Sequence, residues 1–122
     1  MNSIVIFSNT IAASGTFLVT LPVPVNISNT ELLLTANYGA IAATSGVSMV
    51  PTISTDNGVT YHTGNGLSTQ VAQAPSVNTF GQGSILVSDA QFAGQITHIR
   101  ILLTNTDATN AASVNLSAQL YH

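Results

Sequence analysis

The side chains able to do acid–base, metal or nucleophilic chemistry are few in this chain. They are the carboxylates Glu31, Asp56, Asp89 and Asp107, the guanidinium Arg100, and the imidazoles His62, His98 and His122. Three histidines can form a zinc site when strands bring them together. Here none stands two or four residues from another, so no local spacing prepares one. Glycoside hydrolysis needs two carboxyl groups roughly 5–10 Å apart, and these four lie in separate segments. There is no Gly-x-Ser-x-Gly elbow to expose a nucleophile and no glycine-rich lysine loop to cradle phosphate. With one Arg, no Lys and no Cys, Schiff-base, thiolate and disulfide chemistry are excluded. The expectation is a protein with no catalytic residue, no metal site and no cofactor.

The same scarcity shapes the surface. Charged residues are 4% of 122, against about 25% in an ordinary soluble domain. Solubility then falls to Ser, Thr, Asn and Gln. A net charge of −3 with a single cation removes the basis for binding nucleic acid or an anionic membrane. No apolar run approaches the roughly 20 residues of a spanning helix. The opening MNSIVIFSNT has no basic region and no apolar stretch of signal-peptide length, so synthesis without export is expected. Hydrophobic residues make up 45% of the chain, enough for one domain over residues 1–122 with a real core.

The most specific local pattern is Ser54-Thr55-Asp56-Asn57-Gly58-Val59-Thr60-Tyr61. It resembles the Asp-box, S-x-D-x-G-x-T-W, with Tyr in place of Trp. The chemistry is that of a turn: Ser54 and Asp56 can accept from turn N–H groups, Gly58 can adopt positive φ, and Thr60 begins the return. Ser54, Asp56, Gly58 and Thr60 are therefore expected to be structural. The sialidase-like propeller that an Asp-box implies needs several boxes and several arginines, and this chain has one of each. One carboxylate is also too few for a calcium loop.

The elements that must position these residues are strands. Apolar and polar residues alternate with period two, interrupted by Gly, Asn, Asp and Pro, the pattern of half-buried strands. Segments 3–8, 16–21, 31–38, 47–55, 59–63, 84–88, 97–105 and 113–121 fit it, with turns at Ser14-Gly15 and Gly64-Asn65-Gly66. Pro22 and Pro24 stop one strand, and Pro51 marks an edge or bulge. The leucines at 32–34 indicate a buried strand. Residues 106–110 suggest a hairpin loop joining 97–105 to 113–121 as paired strands. Residues 67–83 hold one or two short strands or a loop. Ser88 to Gly94 suits a single helical turn capped by Ser88 or Asp89. Eight or nine short strands with turns every 8–12 residues predict an all-β fold, an antiparallel β-sandwich of jelly-roll type.

On segment 97–105, His98 and Arg100 share a face, with Asp89 and Asp107 on flanking loops. This is the one place where charges can converge, either as an ion pair or as an anchor at an interface. Sugar binding is a competing use of such a sandwich, since Asn and Gln suit hydroxyls. Trp is absent, however, and Tyr38, Tyr61 and Tyr121 are the only tyrosines, with Tyr38 expected in the core.

The Asn- and Thr-rich C-terminal stretch HIRILLTNTDATNAASVNLSAQLYH, with the missing Lys and Cys, is similar in style to the small β-sandwich capsid decoration (cement) proteins of tailed bacteriophages. The resemblance implies a homo-oligomer, often a trimer, made in the host cytoplasm and seated on the outer capsid surface. There it would hold neighbouring copies of the major capsid protein together. A carbohydrate-binding or receptor-adhesion module of a phage tail or fibre is the alternative, with a glycan as its partner.

Overall fold

The computed structural model describes residues 2–39, 45–63, 67–74, 79–92 and 94–122, with only the backbone of Asn2. Among these residues the alternating pattern becomes eight strands: β1 (Asn2–Ile11), β2 (Thr16–Pro22), β3 (Asn29–Asn37), β4 (Val47–Ser54), β5 (Gln70–Ala72), β6 (Gly81–Ser88), β7 (His98–Asn105) and β8 (Ala112–Tyr121). One 3-10 turn, Asp89–Gln91, lies between β6 and β7. It is capped as its sequence suggests. The Ser88 hydroxyl accepts from the Ala90 amide, and the Gln91 side chain reaches back to the Ser88 amide at 3.0 Å.

The strands form two antiparallel four-stranded sheets, ordered β1-β8-β3-β6 and β2-β7-β4-β5. Apart from β4 to β5, every successive strand lies in the opposite sheet. Two four-stranded sheets joined in this way make a jelly-roll sandwich. Side chains alternate across each strand, so one set from each sheet meets in the middle. Leu32, Leu34, Leu116 and Val87 come from one sheet, and Met49, Ile53, Ile99, Ile101 and Leu103 from the other; all are fully buried. Truncating any of these leucines would cost about 2–5 kcal/mol.

The topology corrects several expectations. Segments 97–105 and 113–121 are not partners. β7 pairs with β2 and β4, whereas β8 pairs with β1 and β3, and residues 106–111 cross from one sheet to the other. Both strands carry the same inward alternation, which sets the buried face but not the neighbour. The leucine run is likewise not buried throughout: Leu33 faces outward and is 38% exposed. Residues 59–63 form no strand and contribute a single bridge, His62 to Ile53. β6 begins earlier than residue 84 because Gly81 and Gly83 let it pass close to β5; a Cβ on Gly81 would fall 2.2 Å from the Gln73 carbonyl carbon. Pro51 lies where β4 has run past the end of β5, so its missing N–H breaks no ladder on that side. The turn assigned to Gly64-Asn65-Gly66 lies outside the described residues.

One end of the sandwich is tied by the buried amide of Asn105. Its Nδ2 donates to the carbonyls of Ile11 (3.1 Å), Ala12 (3.2 Å) and Asn110 (2.8 Å). Its Oδ1 accepts from the Tyr38 hydroxyl (2.6 Å) and the Asp107 amide (3.1 Å). Burial, and secondarily the Asp107 charge, push the Tyr38 phenol up to about 12. Tyr38 therefore stays a neutral donor at any ordinary pH. Replacing Asn105 by Ala would leave these partners buried and unpaired. The expected loss is about 3 kcal/mol of stability, measured by urea unfolding. A loss below about 1 kcal/mol would show that water or a rearranged loop takes over those bonds.

Candidate functional site on an outer sheet face

The octet after β4 folds as a closed polar turn. The Ser54 hydroxyl donates to Asp56 Oδ1 at 2.6 Å and accepts from the amides of Asp56 (3.2 Å) and Gly58 (2.9 Å). Asp56 in turn accepts the Thr60 amide on Oδ1 (2.9 Å) and the Thr60 hydroxyl on Oδ2 (2.5 Å). Asn57 and Gly58 take positive φ, 61° and 83°, a region that Asn tolerates and Gly adopts freely. The turn docks on the residue preceding β7: the Asn57 amide donates to Thr97 Oγ1 (3.0 Å) and the Thr97 amide to the Ser54 carbonyl (2.8 Å). The backbone returns to β4 through paired bonds between His62 and Ile53 at 2.8 and 3.1 Å.

This closure delivers Tyr61 above β7. The Arg100 guanidinium carbon sits 3.9 Å from the centre of the Tyr61 ring, a cation–π contact worth about 0.5–1 kcal/mol at a partly exposed site. Strand register places Thr20, Arg100 and Thr52 in one row across β2, β7 and β4, and Leu18, Leu102 and Val50 in a neighbouring row on the same face. Leu18, Val50, Thr52, Arg100 and Leu102 line an open cleft of about 410 Å³. Leu18 is 53% and Leu102 39% exposed. Thr52 Oγ1 donates to the Arg100 carbonyl at 3.2 Å.

The charges anticipated around Arg100 are employed elsewhere. Asp89 Oδ1 accepts the Ile96 amide at 3.1 Å. Asp107 Oδ1 accepts the amides of Thr109 and Asn110, each at 2.9 Å. Among the described residues the Arg100 side chain has no carboxylate or hydrogen-bond partner; the Tyr61 ring is its contact. His98 shares the outer face of β7, and its Nδ1 lies 3.1 Å from Thr97 Oγ1. His62 and His122 are exposed. Among the described residues no three His, Cys, Asp or Glu side chains gather as a metal site. Tyr61 was visible as the last residue of the Asp-box-like octet, but its pairing with Arg100 has no signal in the linear sequence.

Asp56 and Asp107 are also poorly suited to proton transfer near neutrality. Hydrogen bonds from the Ser54 hydroxyl, then from the Thr60 hydroxyl and amide, hold Asp56 far below the usual carboxylate range. The Thr109 amide, with smaller help from Asn110, lowers Asp107 against the opposing effect of burial. A general acid works best with a pKa near the working pH.

No protein-family model matches the chain, and no curated protein matches it in sequence. Solved structures do match its shape. An enzymatically active domain of tailspike protein 4 from bacteriophage CBA120 aligns over 93% of this chain and 15% of its own length, at 11% identity and a TM-score of 0.58. The xylan-binding module CBM15 aligns over 99% of this chain and 97% of its own, at 10% identity and a TM-score of 0.53. A protein of the infectious bursal disease virus T13 particle aligns over 99% and 30%, at 14% identity and a TM-score of 0.53. The chain thus spans a small part of the two viral proteins and nearly the whole of the binding module. At such identities the likeness establishes the jelly-roll sandwich and nothing narrower.

The Asp56 turn sets a pH dependence. Its folded pKa lies below the unfolded value of about 3.9, so its stabilisation is complete above that pH and is lost as pH falls through the folded value. Asp56→Asn is expected to lower Tm by about 5 °C at pH 7. The gap to the unmodified protein should narrow steadily from about pH 4 downward. Thermal melts across that range test it; a gap that is absent at neutrality or unchanged in acid would show that the carboxylate does not hold the turn.

Proposed function

We propose that this chain is a non-enzymatic virion structural protein, a capsid decoration or cement protein. It would bind the outer face of the capsid shell as a symmetric oligomer, most simply a homotrimer, contacting the major capsid protein. The observation that carries this reading is the character of the outer surface. Large apolar side chains stand out on both sheets, Leu18 and Leu102 on one and Leu86 (48% exposed) and Val5 on the other. Few charges accompany them: Glu31 stands opposite Leu86, and Arg100 shares the cleft with Leu18 and Leu102. Three of the four carboxylates are turned to holding loops. Such a surface forms contacts by packing and neutral hydrogen bonds, which salt screens little, and its low charge weakens repulsion between like subunits. The fold shared with a viral-particle protein and a phage tailspike supports a place in a virion.

A second reading, a carbohydrate-binding or receptor-adhesion module of a tail or fibre, is favoured by one observation. The cleft beside Arg100 is a concave, mostly aliphatic site with few polar groups, as small-ligand sites are.

A major capsid gene beside this one would be the first check on the virion reading. Sizing should then give an oligomer that survives salt on the order of 1 M, where the Debye length is about 3 Å. The same oligomer should co-sediment with shells of the neighbouring capsid protein and raise their melting temperature. A monomer that stays free of the shells would overturn the decoration role.

A further inference from the structure

We propose that the cleft on the β2–β7–β4 face is a carboxylate-recognition site for an acidic sugar residue of the uronic-acid class. The inference rests on the second, carbohydrate-binding reading and gives that site its ligand chemistry. The decisive group is Arg100. It is the chain's one lysine-or-arginine cation, and among the described residues it meets no carboxylate and donates no hydrogen bond. A guanidinium offers five N–H donors in a rigid plane that matches a carboxylate with two parallel bonds. The guanidinium carbon lies over the Tyr61 ring at 3.9 Å, and among the described residues none of its N–H groups is committed to a hydrogen bond. The guanidinium is thus oriented before any ligand arrives, which lowers the entropic cost of binding.

The surroundings suit a sugar acid more than a neutral glycan or a peptide. The row Leu18–Leu102–Val50 is an aliphatic floor for the C–H face of a pyranose. Thr20 and Thr52 flank Arg100 in register, and Thr52 lines the cleft with it. Arg100 already occupies one face of the Tyr61 ring, where a neutral sugar would otherwise stack. A stable protein–protein interface would need about 20–30 residues a side. This cleft has five lining residues and about 410 Å³, within the roughly 300–1,000 Å³ of small-ligand sites.

The Asp-box-like turn enters here as a positioning device. Asp56 closes the turn on Thr60, and a Cβ on Gly58 would lie 3.3 Å from the Tyr61 hydroxyl and 3.8 Å from the His98 ring. Tyr61 therefore keeps its hydroxyl close to Gly58 of its own turn and carries Arg100 over its ring. Asp56 and Gly58 act on the cleft through Tyr61, without touching a ligand.

Because the chain has a single arginine, its Nε–Hε NMR signal reports on this site without assignment. Titration of the full chain with trigalacturonate should shift that signal to saturation. Galactotriose, the uncharged counterpart, and acetate should each bind at least about tenfold more weakly. Tyr61→Ala, with its fold checked by a thermal melt, should weaken trigalacturonate by several-fold, and Tyr61→Phe should restore most of the affinity. Arg100→Gln, read by the amide signals of Leu102 and Val50, should abolish the preference for the acidic trimer. Equal binding of galactotriose would keep a carbohydrate site and overturn its carboxylate chemistry. Acetate as strong as trigalacturonate would reduce the site to an exposed ion pair. Tighter binding of a capped Leu-Glu-Val tripeptide would assign the face to a protein partner. No shift with any of the four would overturn the site altogether.

Discussion

The buried amide of Asn105 is the interaction on which the rest of this sandwich depends. A jelly roll sends its chain across the core again and again, and each crossing leaves backbone groups that no sheet ladder can satisfy. At one end, a single side chain meets the carbonyls of the β1–β2 turn, the loop leading to β8 and the Tyr38 hydroxyl. Those three features belong to both sheets. One satisfied amide therefore fixes how the sheets sit over one another at that end, and the aliphatic core between them follows. Low dielectric makes such a hub strong when complete and costly when broken.

Charge is used with the same economy. In most domains carboxylates stay in water and keep the surface soluble. Here Asp56, Asp89 and Asp107 point back at N–H groups of their own loops, where each replaces a ladder bond that the turn cannot make. The surface left over carries few charges, the exposed Glu31 among them, and is partly apolar. On it stands a guanidinium that, among the described residues, meets an aromatic ring and no carboxylate. A surface made for neutral contact and a solitary oriented cation are consequences of one allocation of charge.

Much of this was legible in the sequence, for physical reasons. Period-two alternation located seven of the eight strands closely, because burial on one face writes itself into every second residue. The Ser88 cap and the Asp56 turn were legible because their bonds are local, spanning two to four residues. Strand neighbours were not. β7 and β8 bury identical patterns, and nothing in either says that they belong to different sheets. Leu33 illustrates the same limit: a run of three leucines cannot show which of them faces out. Residues 67–83 read equally as short strands or a loop, and the close passage of β5 explains why Gly81 and Gly83 stand in a strand.

By itself, then, the sequence determined that the protein is an all-β sandwich with stapled turns, no sulfur chemistry and almost no ionisable surface. Each of those follows from residue type or from bonds between near neighbours. Only the tertiary structure decided that Tyr61, delivered by a locked turn, meets Arg100 from the middle of another strand, and that Leu18, Val50 and Leu102 extend the site beside them. Those residues come from three strands and a turn. Their meeting is set by register and sheet order, which arise from long-range pairing that no local pattern encodes.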